Sequence, residues 1–114
     1  MSFTIYHNPR CRKSRETLQL LRDKGIEPTV VEYLKEPLSV KELDELCGKL
    51  DVSPGDLLRK SEKVFKENYK GKKLSDEQAL QAMADHPKLM ERPVVVSGEK
   101  AEIGRPPENV QRLL

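Results

Sequence analysis

The order of segments along this chain predicts an α/β domain built on a small mixed sheet. Three observations carry that expectation. A β-α-β unit opens the sequence, a β-hairpin with a following helix closes it, and a helical block lies between them. A strand, crossover helix and strand pair in parallel, whereas a hairpin pairs antiparallel, so one sheet holding both is mixed. The 114 residues suit a single domain, 1–114, large enough to bury a core without metal or disulfide staples.

The first strand is Ser2–His7, "SFTIYH", where Phe3, Ile5 and Tyr6 favour extended backbone and Asn8-Pro9 stops it. A helix is expected from about Cys11 to Lys24. Leu18, Leu21 and the Thr17 methyl form its apolar stripe, and Gly25 ends it. "PTVVEYL", Pro28–Leu34, reads as the second strand. In the helical block, Ser39 and Glu42 form a capping box ahead of the stripe Leu43, Leu46, Cys47 and Leu50. Pro54 suits the first position of a short helix over Ser53–Leu58, and "SEKVFKENY" adds a turn or two. Ser75 and Gln78 box the next helix, which Pro87 ends; His86, just before it, is expected to cap. "PVVV" and "KAEI" around "SGE" predict the hairpin. "PPENVQRLL" predicts a closing helix, with Pro107 tolerated in its first turn and Glu108 suited to its positive end.

Hydrophobic residues make up 36% and charged residues 35%, a polar composition with recurring apolar clusters rather than a disordered one. A net charge of only +2 argues against nucleic acid or a membrane surface as the partner. No apolar run approaches the roughly 18 residues of a membrane helix. "MSFTIYHNP" lacks the basic-then-apolar pattern of a secretory signal, so a reducing, cytoplasmic location is expected for a chain with two cysteines. Two Cys and two His without paired spacing do not make a zinc site, and no metal is expected. Nothing in the sequence demands a dimer, so a monomer is expected.

The chemistry concentrates in "HNPRCRKSR", His7–Arg15, where Cys11 sits among Arg10, Arg12, Lys13 and Arg15. The thiol falls at a strand-to-helix turn. Unpaired N–H groups of a helix's first turn carry about half a positive charge, stabilise a thiolate and cradle an oxyanion. Nearby cations act in the same direction, and the thiolate is the nucleophile. Ser14, one turn on, can donate its hydroxyl to the thiolate or to a bound anion. It also replaces the second thiol of a CxxC pair, so an external thiol such as glutathione is expected to resolve the oxidised product. His7 is a candidate charge partner from the strand end. Cys47 lies on an apolar stripe and reads as core. Arg59, Arg92 and Arg105 each stand at a boundary between elements, where a planar guanidinium can reach an oxyanion.

"YHNPRCRKSRETL", "LLRKSE", "HPKLMERPVVV" and "IGRPPE" together resemble the ArsC family, the glutaredoxin-linked arsenate reductases with a thioredoxin-like fold. The resemblance covers nearly the whole chain. It implies a thioredoxin/glutaredoxin-like sheet with a helical insertion over residues 37–91 and a cis proline at Pro93. By motif, Cys11 is the expected nucleophile, held as a thiolate with help from His7 and Ser14. Asn8 is expected to shape the loop at the substrate, while Arg59, Arg92 and Arg105 bind arsenate and its covalent adduct. Glutathione is the implied co-substrate and glutaredoxin the implied partner, with no bound cofactor.

The chain departs from the family's better-known pattern, C-G-T-S-R, by carrying Arg12 and Lys13 directly after the cysteine. Two long cations there are expected to deepen the positive field and to bear on which anion is accepted. The alternatives are a monothiol glutathione-dependent oxidoreductase acting on another substrate, which the CxxS pattern suits, and an Spx-like protein-binding regulator. The latter relatives usually carry the CxxC that Ser14 breaks.

Overall fold

A computed structural model describes residues 2–69 and 71–114. Its backbone contacts form two compact units, one from the stretches up to Glu36 and from Arg92 onward, the other Pro37–Glu91.

The first unit holds the sheet. Strand β1, Phe3–Tyr6, runs parallel to β2, Thr29–Val31, and antiparallel to β3, Val94–Ser97, which pairs with β4, Lys100–Ile103. The order β2-β1-β3-β4 is mixed and thioredoxin-like. Gly98, at φ +61°, supplies the left-handed residue of the tight turn between β3 and β4. Helix α1, Arg12–Asp23, crosses from β1 to β2 and buries Ser14, Thr17 and Leu21. Ile5, Leu21, Val95, Val110 and Leu113 form this unit's core, with Phe3, Leu18, Leu20 and Ile26 packed at its margin.

One element is shorter than expected. β2 spans only Thr29–Val31, because Lys35 and Glu36 both donate to the Glu32 carbonyl (2.9 Å each) and fold the chain into a turn. The closing segment Pro107–Leu113 is the expected helix, wound as a 3-10 helix. It still buries Pro107, Val110 and Leu113, an i, i+3, i+6 spacing that suits three residues per turn.

The second unit is helical: α2 (Val40–Leu50), α3 (Lys63–Asn68) and α4 (Asp76–Asp85), with short 3-10 turns at Pro54–Leu57 and Pro87–Leu89. Both foreseen capping boxes form. Ser39 Oγ accepts from Glu42 N (3.1 Å) while Ser39 N donates to Glu42 (3.0 Å), and Ser75 and Gln78 repeat the exchange at 3.2 and 2.9 Å. α2 packs on α4 through buried Leu43, Leu46 and Cys47 against Ala79, Leu80 and Met83. Cys47 is therefore a core residue. His86 ends α4 through its backbone, N–H to Ala82 O at 2.8 Å, while its ring stands edge-on to Tyr69. Among the described residues, no helix is long and apolar enough to cross a membrane.

Candidate active site

The strand register collects the site. Tyr6 of β1 pairs with Val31 of β2 and Val94 of β3, and Val94 pairs with Ile103 of β4. The segment His7–Cys11 therefore leaves the sheet at the same end where Arg92-Pro93 enters it and Gly104-Arg105 leaves it. His7, Asn8, Cys11, Ser14, Arg92, Pro93 and Arg105 share this unit and this end of the sheet. Arg59 belongs to the helical unit, where Glu62 (3.1 Å) and Glu91 (3.9 Å) hold its guanidinium and its own N–H donates to Leu89 O.

Asn8 shapes the loop in three ways. Its side-chain oxygen accepts from Arg10 N (3.0 Å), its carbonyl accepts from Cys11 N (3.0 Å), and its N–H donates to Ser14 Oγ (3.0 Å). These bonds turn the chain so that Cys11 becomes the residue capping α1, at φ −92° and ψ 121°. Its carbonyl accepts from Arg15 N at 3.0 Å, the first bond of the helix. The half-buried thiol faces the first turn of the helix.

Burial alone would raise the Cys11 pKa. The backbone N–H of Ser14, a hydrogen bond and charge from the Arg92 guanidinium, and the backbone N–H of Lys13 outweigh it and hold the thiol below its ordinary value. A thiolate with cationic and amide donors around it is a nucleophile placed beside an anion cradle.

His7 meets Ser14 at the end of β1. It is buried, and burial first, then Arg22 and Arg15, lower its pKa against the opposing pull of Glu32, so the neutral ring is favoured. Its Nδ1 lies 2.6 Å from Ser14 Oγ. The Ser14 hydroxyl is thus shared between His7 and the Asn8 N–H, and it is the backbone of Ser14 that reaches Cys11. The pair braces the loop. Arg12 and Lys13 follow the thiol directly in sequence. Both turn to Glu16, at 2.9 and 3.8 Å, on the exposed flank of α1. Arg15 donates to Pro9 O at 2.9 Å.

The Arg92–Pro93 peptide bond is cis, and so is Arg105–Pro106, for which the sequence carries no comparable signal. Pro93 is buried, its carbonyl accepting from Gly104 N at 2.8 Å. Thr17 and Gly104 are further parts of the site's frame that sequence reasoning missed. Thr17 Oγ1 donates to Lys13 O (2.8 Å) and approaches Gly104 O (3.4 Å), so α1 is seated directly on the strand-end loops. The signal for Thr17 was present: residues 11, 14 and 17 lie one turn apart on one helix face. Arg105 is exposed, and among the described residues its side chain makes no hydrogen bond or ion pair. No group of three or more His, Cys, Asp or Glu among the described residues is placed to hold a metal ion.

Known proteins resemble this chain along most of its length. The uncharacterized protein YfgD of Escherichia coli (strain K12) is 52% identical over 112 residues, 96% of this chain and 94% of its own length. An arsenate reductase of Haemophilus influenzae is 44% identical, with both chains covered completely. The solved structure of an arsenate reductase from Vibrio cholerae is 48% identical and superposes with a TM-score of 0.95, covering 100% of this chain and 98% of the other. The ArsC family matches residues 6–113, nearly the whole sequence, and with these relatives it establishes that the chain belongs to the ArsC family.

Proposed function

We propose that this protein reduces arsenate to arsenite with Cys11 as nucleophile and glutathione as the first electron donor. The observation that carries the reading is the Cys11 thiol held below its ordinary pKa by Arg92 and by the amides of a helix start. Relatives of 40–50% identity that are arsenate reductases support the substrate.

The Cys11 thiolate attacks arsenic(V), an As–S bond forms, and one arsenate oxygen leaves as water after protonation. The thiol of glutathione then attacks the Cys11 sulfur. An S–S bond forms, the As–S bond breaks, and its electron pair stays on arsenic, which leaves as arsenic(III). In sum, two thiols and one arsenic acid give one mixed disulfide, one arsenous acid and one water. Glutaredoxin, as a thiol partner, attacks the glutathione sulfur and returns Cys11 to the thiolate. No bound cofactor enters this balance, and a reducing compartment such as the cytoplasm supplies both donors.

Arg92 serves the sulfur first and then the charge that develops on it. Arg105, free of side-chain partners among the described residues and at the same sheet end, is the group best able to take the oxyanion bidentately. The assignment of Arg59 to the substrate rests on its motif. Asn8, Ser14 and His7 hold the loop in register.

The test is purified protein with arsenate, glutathione and glutaredoxin, following arsenite formation. Turnover should require all three and vanish in Cys11→Ser. Arsenite production that persists in that variant sinks the mechanism. Rapid deglutathionylation of a model disulfide without arsenate turnover favours the monothiol alternative instead.

A further inference from the structure

The loop that carries the thiol has neighbours on two sides. β3 and β4 lie on one side of β1 and bring Arg92 and Arg105 to the sheet end; β2 lies on the other. On the β2 side, a cleft of about 390 Å³ opens between His7–Arg10 and the turn after β2, with Glu32, Leu34 and Lys35 on its far wall. That volume falls in the range of about 300–1,000 Å³ that holds small molecules.

The cleft's charges are not committed elsewhere. Among the described residues, only the arginines Arg10 and Arg105 make no side-chain hydrogen bond or ion pair, and they flank the thiol loop on its two sides. Lys35 meets Glu32 at 3.6 Å, but its side chain is 79% exposed, and such a pair is worth little in water. Both ends can therefore exchange each other for a ligand. Leu34, 36% exposed, offers an apolar surface between them.

Two cations, one acid and an apolar strip match a small zwitterionic peptide: carboxylates for the cations, an ammonium for the acid, methylenes for the leucine. We propose that this cleft binds the peptide thiol co-substrate, with Arg10 and Lys35 taking carboxylate, Glu32 taking the ammonium and Leu34 packing along the chain. Oxyanion and thiol then reach Cys11 from opposite sides of the His7–Cys11 loop, the first from β3 and β4, the second from β2. The inference rests on the thiol-dependent reading above and assigns its second substrate a place.

The probe is S-methylglutathione, which cannot react, titrated into the Cys11→Ser protein and followed by amide chemical shifts. Perturbations should cluster at residues 7–10 and 32–35. Replacing both cations, Arg10→Ala with Lys35→Ala, should raise the Kd at least about tenfold, the scale of one lost charge-assisted contact. In turnover, the same pair of changes in the Cys11 protein should raise the KM for glutathione and leave that for arsenate in place. Shifts confined to the Arg92 and Arg105 side, absence of binding at tens of millimolar, or an unchanged Kd in the double variant overturns the cleft. Cleft binding together with no arsenate turnover by the protein that keeps Cys11 overturns the proposed reaction and leaves the cleft standing.

Discussion

The Arg92 guanidinium helps hold the Cys11 thiol below its ordinary pKa, by hydrogen bonding and by charge, although the two residues lie near opposite ends of the sequence. Four cations stand closer to Cys11 in the chain. The ones directly after it close on Glu16, and Arg15 closes on Pro9. Side-chain direction explains the reversal. Residues of a helix's first turn fan around its axis, so a cation one or two positions after the cap is aimed away from it. The antiparallel pairing of β1 with β3 returns Arg92 to the cap from the far side of the chain.

Arg92→Ala should therefore raise the Cys11 pKa, because it removes a bond and a charge that favour the thiolate. Alkylation rate against pH reads this directly. In the native protein the rate should reach half its plateau at lower pH than in the variant. If Arg92 also steadies charge in the reaction, kcat should fall by about 10²–10³, as for loss of one oxyanion donor. Arg12→Ala with Lys13→Ala should leave the alkylation profile in place. A profile moved by the second pair and not by the first would contradict the assignment.

The sequence disclosed what local chemistry decides. Asn8-Pro9 ends β1, two Ser boxes start α2 and α4, and "SGE" turns the hairpin, because each signal acts within a few residues. It also disclosed the reactive cysteine, since a polar strand-to-helix turn is visible in one dimension. It did not disclose the short β2, where Tyr33 is buried within a turn rather than on a strand. Nor did it disclose the roles of His7 and Ser14. Both were legible as site residues, yet their 2.6 Å contact and burial turn them toward each other, and desolvation sets the His7 charge. Such properties belong to packing and have no local signature.

Ser14→Ala tests the brace. The substitution leaves the Asn8 N–H and His7 Nδ1 without their shared buried partner, at a cost of about 1–3 kcal/mol. The backbone N–H that faces Cys11 stays. Denaturation should show the loss in stability, while the alkylation profile of Cys11 should move less than in Arg92→Ala. Unchanged stability with a strongly raised Cys11 pKa would mean that the hydroxyl serves the sulfur after all.

Cys47 gives an internal contrast. Burial first, then Asp44, Asp76 and Asp56, push its thiol up to about 11. At neutral pH an alkylating reagent should modify Cys11 and spare Cys47, as peptide mass mapping can check. The raised pKa also sets an alkaline limit. The unfolded thiol ionises near 8.5 while the folded one stays neutral, so stability is whole below that pH and declines as pH rises toward 11. The loss amounts to roughly 3 kcal/mol. Cys47→Ala should flatten this part of the stability profile, whatever it costs in packing at neutral pH. An unchanged slope would remove Cys47 as its source.

Gly104 tests the frame on which the whole site depends. A Cβ there would stand 2.6 Å from Thr17 Oγ1 and 2.9 Å from Pro93 Cγ, on two buried side chains with no room to retreat. Gly104→Ala should destabilise the protein by about 1–3 kcal/mol, the usual cost of overpacking. The strain falls between α1, which starts at the thiol, and the loops that carry Arg92 and Arg105, so activity should drop beyond what the folded fraction explains. Thr17→Ala removes both Thr17 atoms that the new methyl meets, and the double variant should recover part of the loss. A double-mutant cycle measures that coupling. Strict additivity would show that the clash is relieved elsewhere, and full activity in Gly104→Ala would show that the distance from α1 to the strand-end loops is not what the reaction needs.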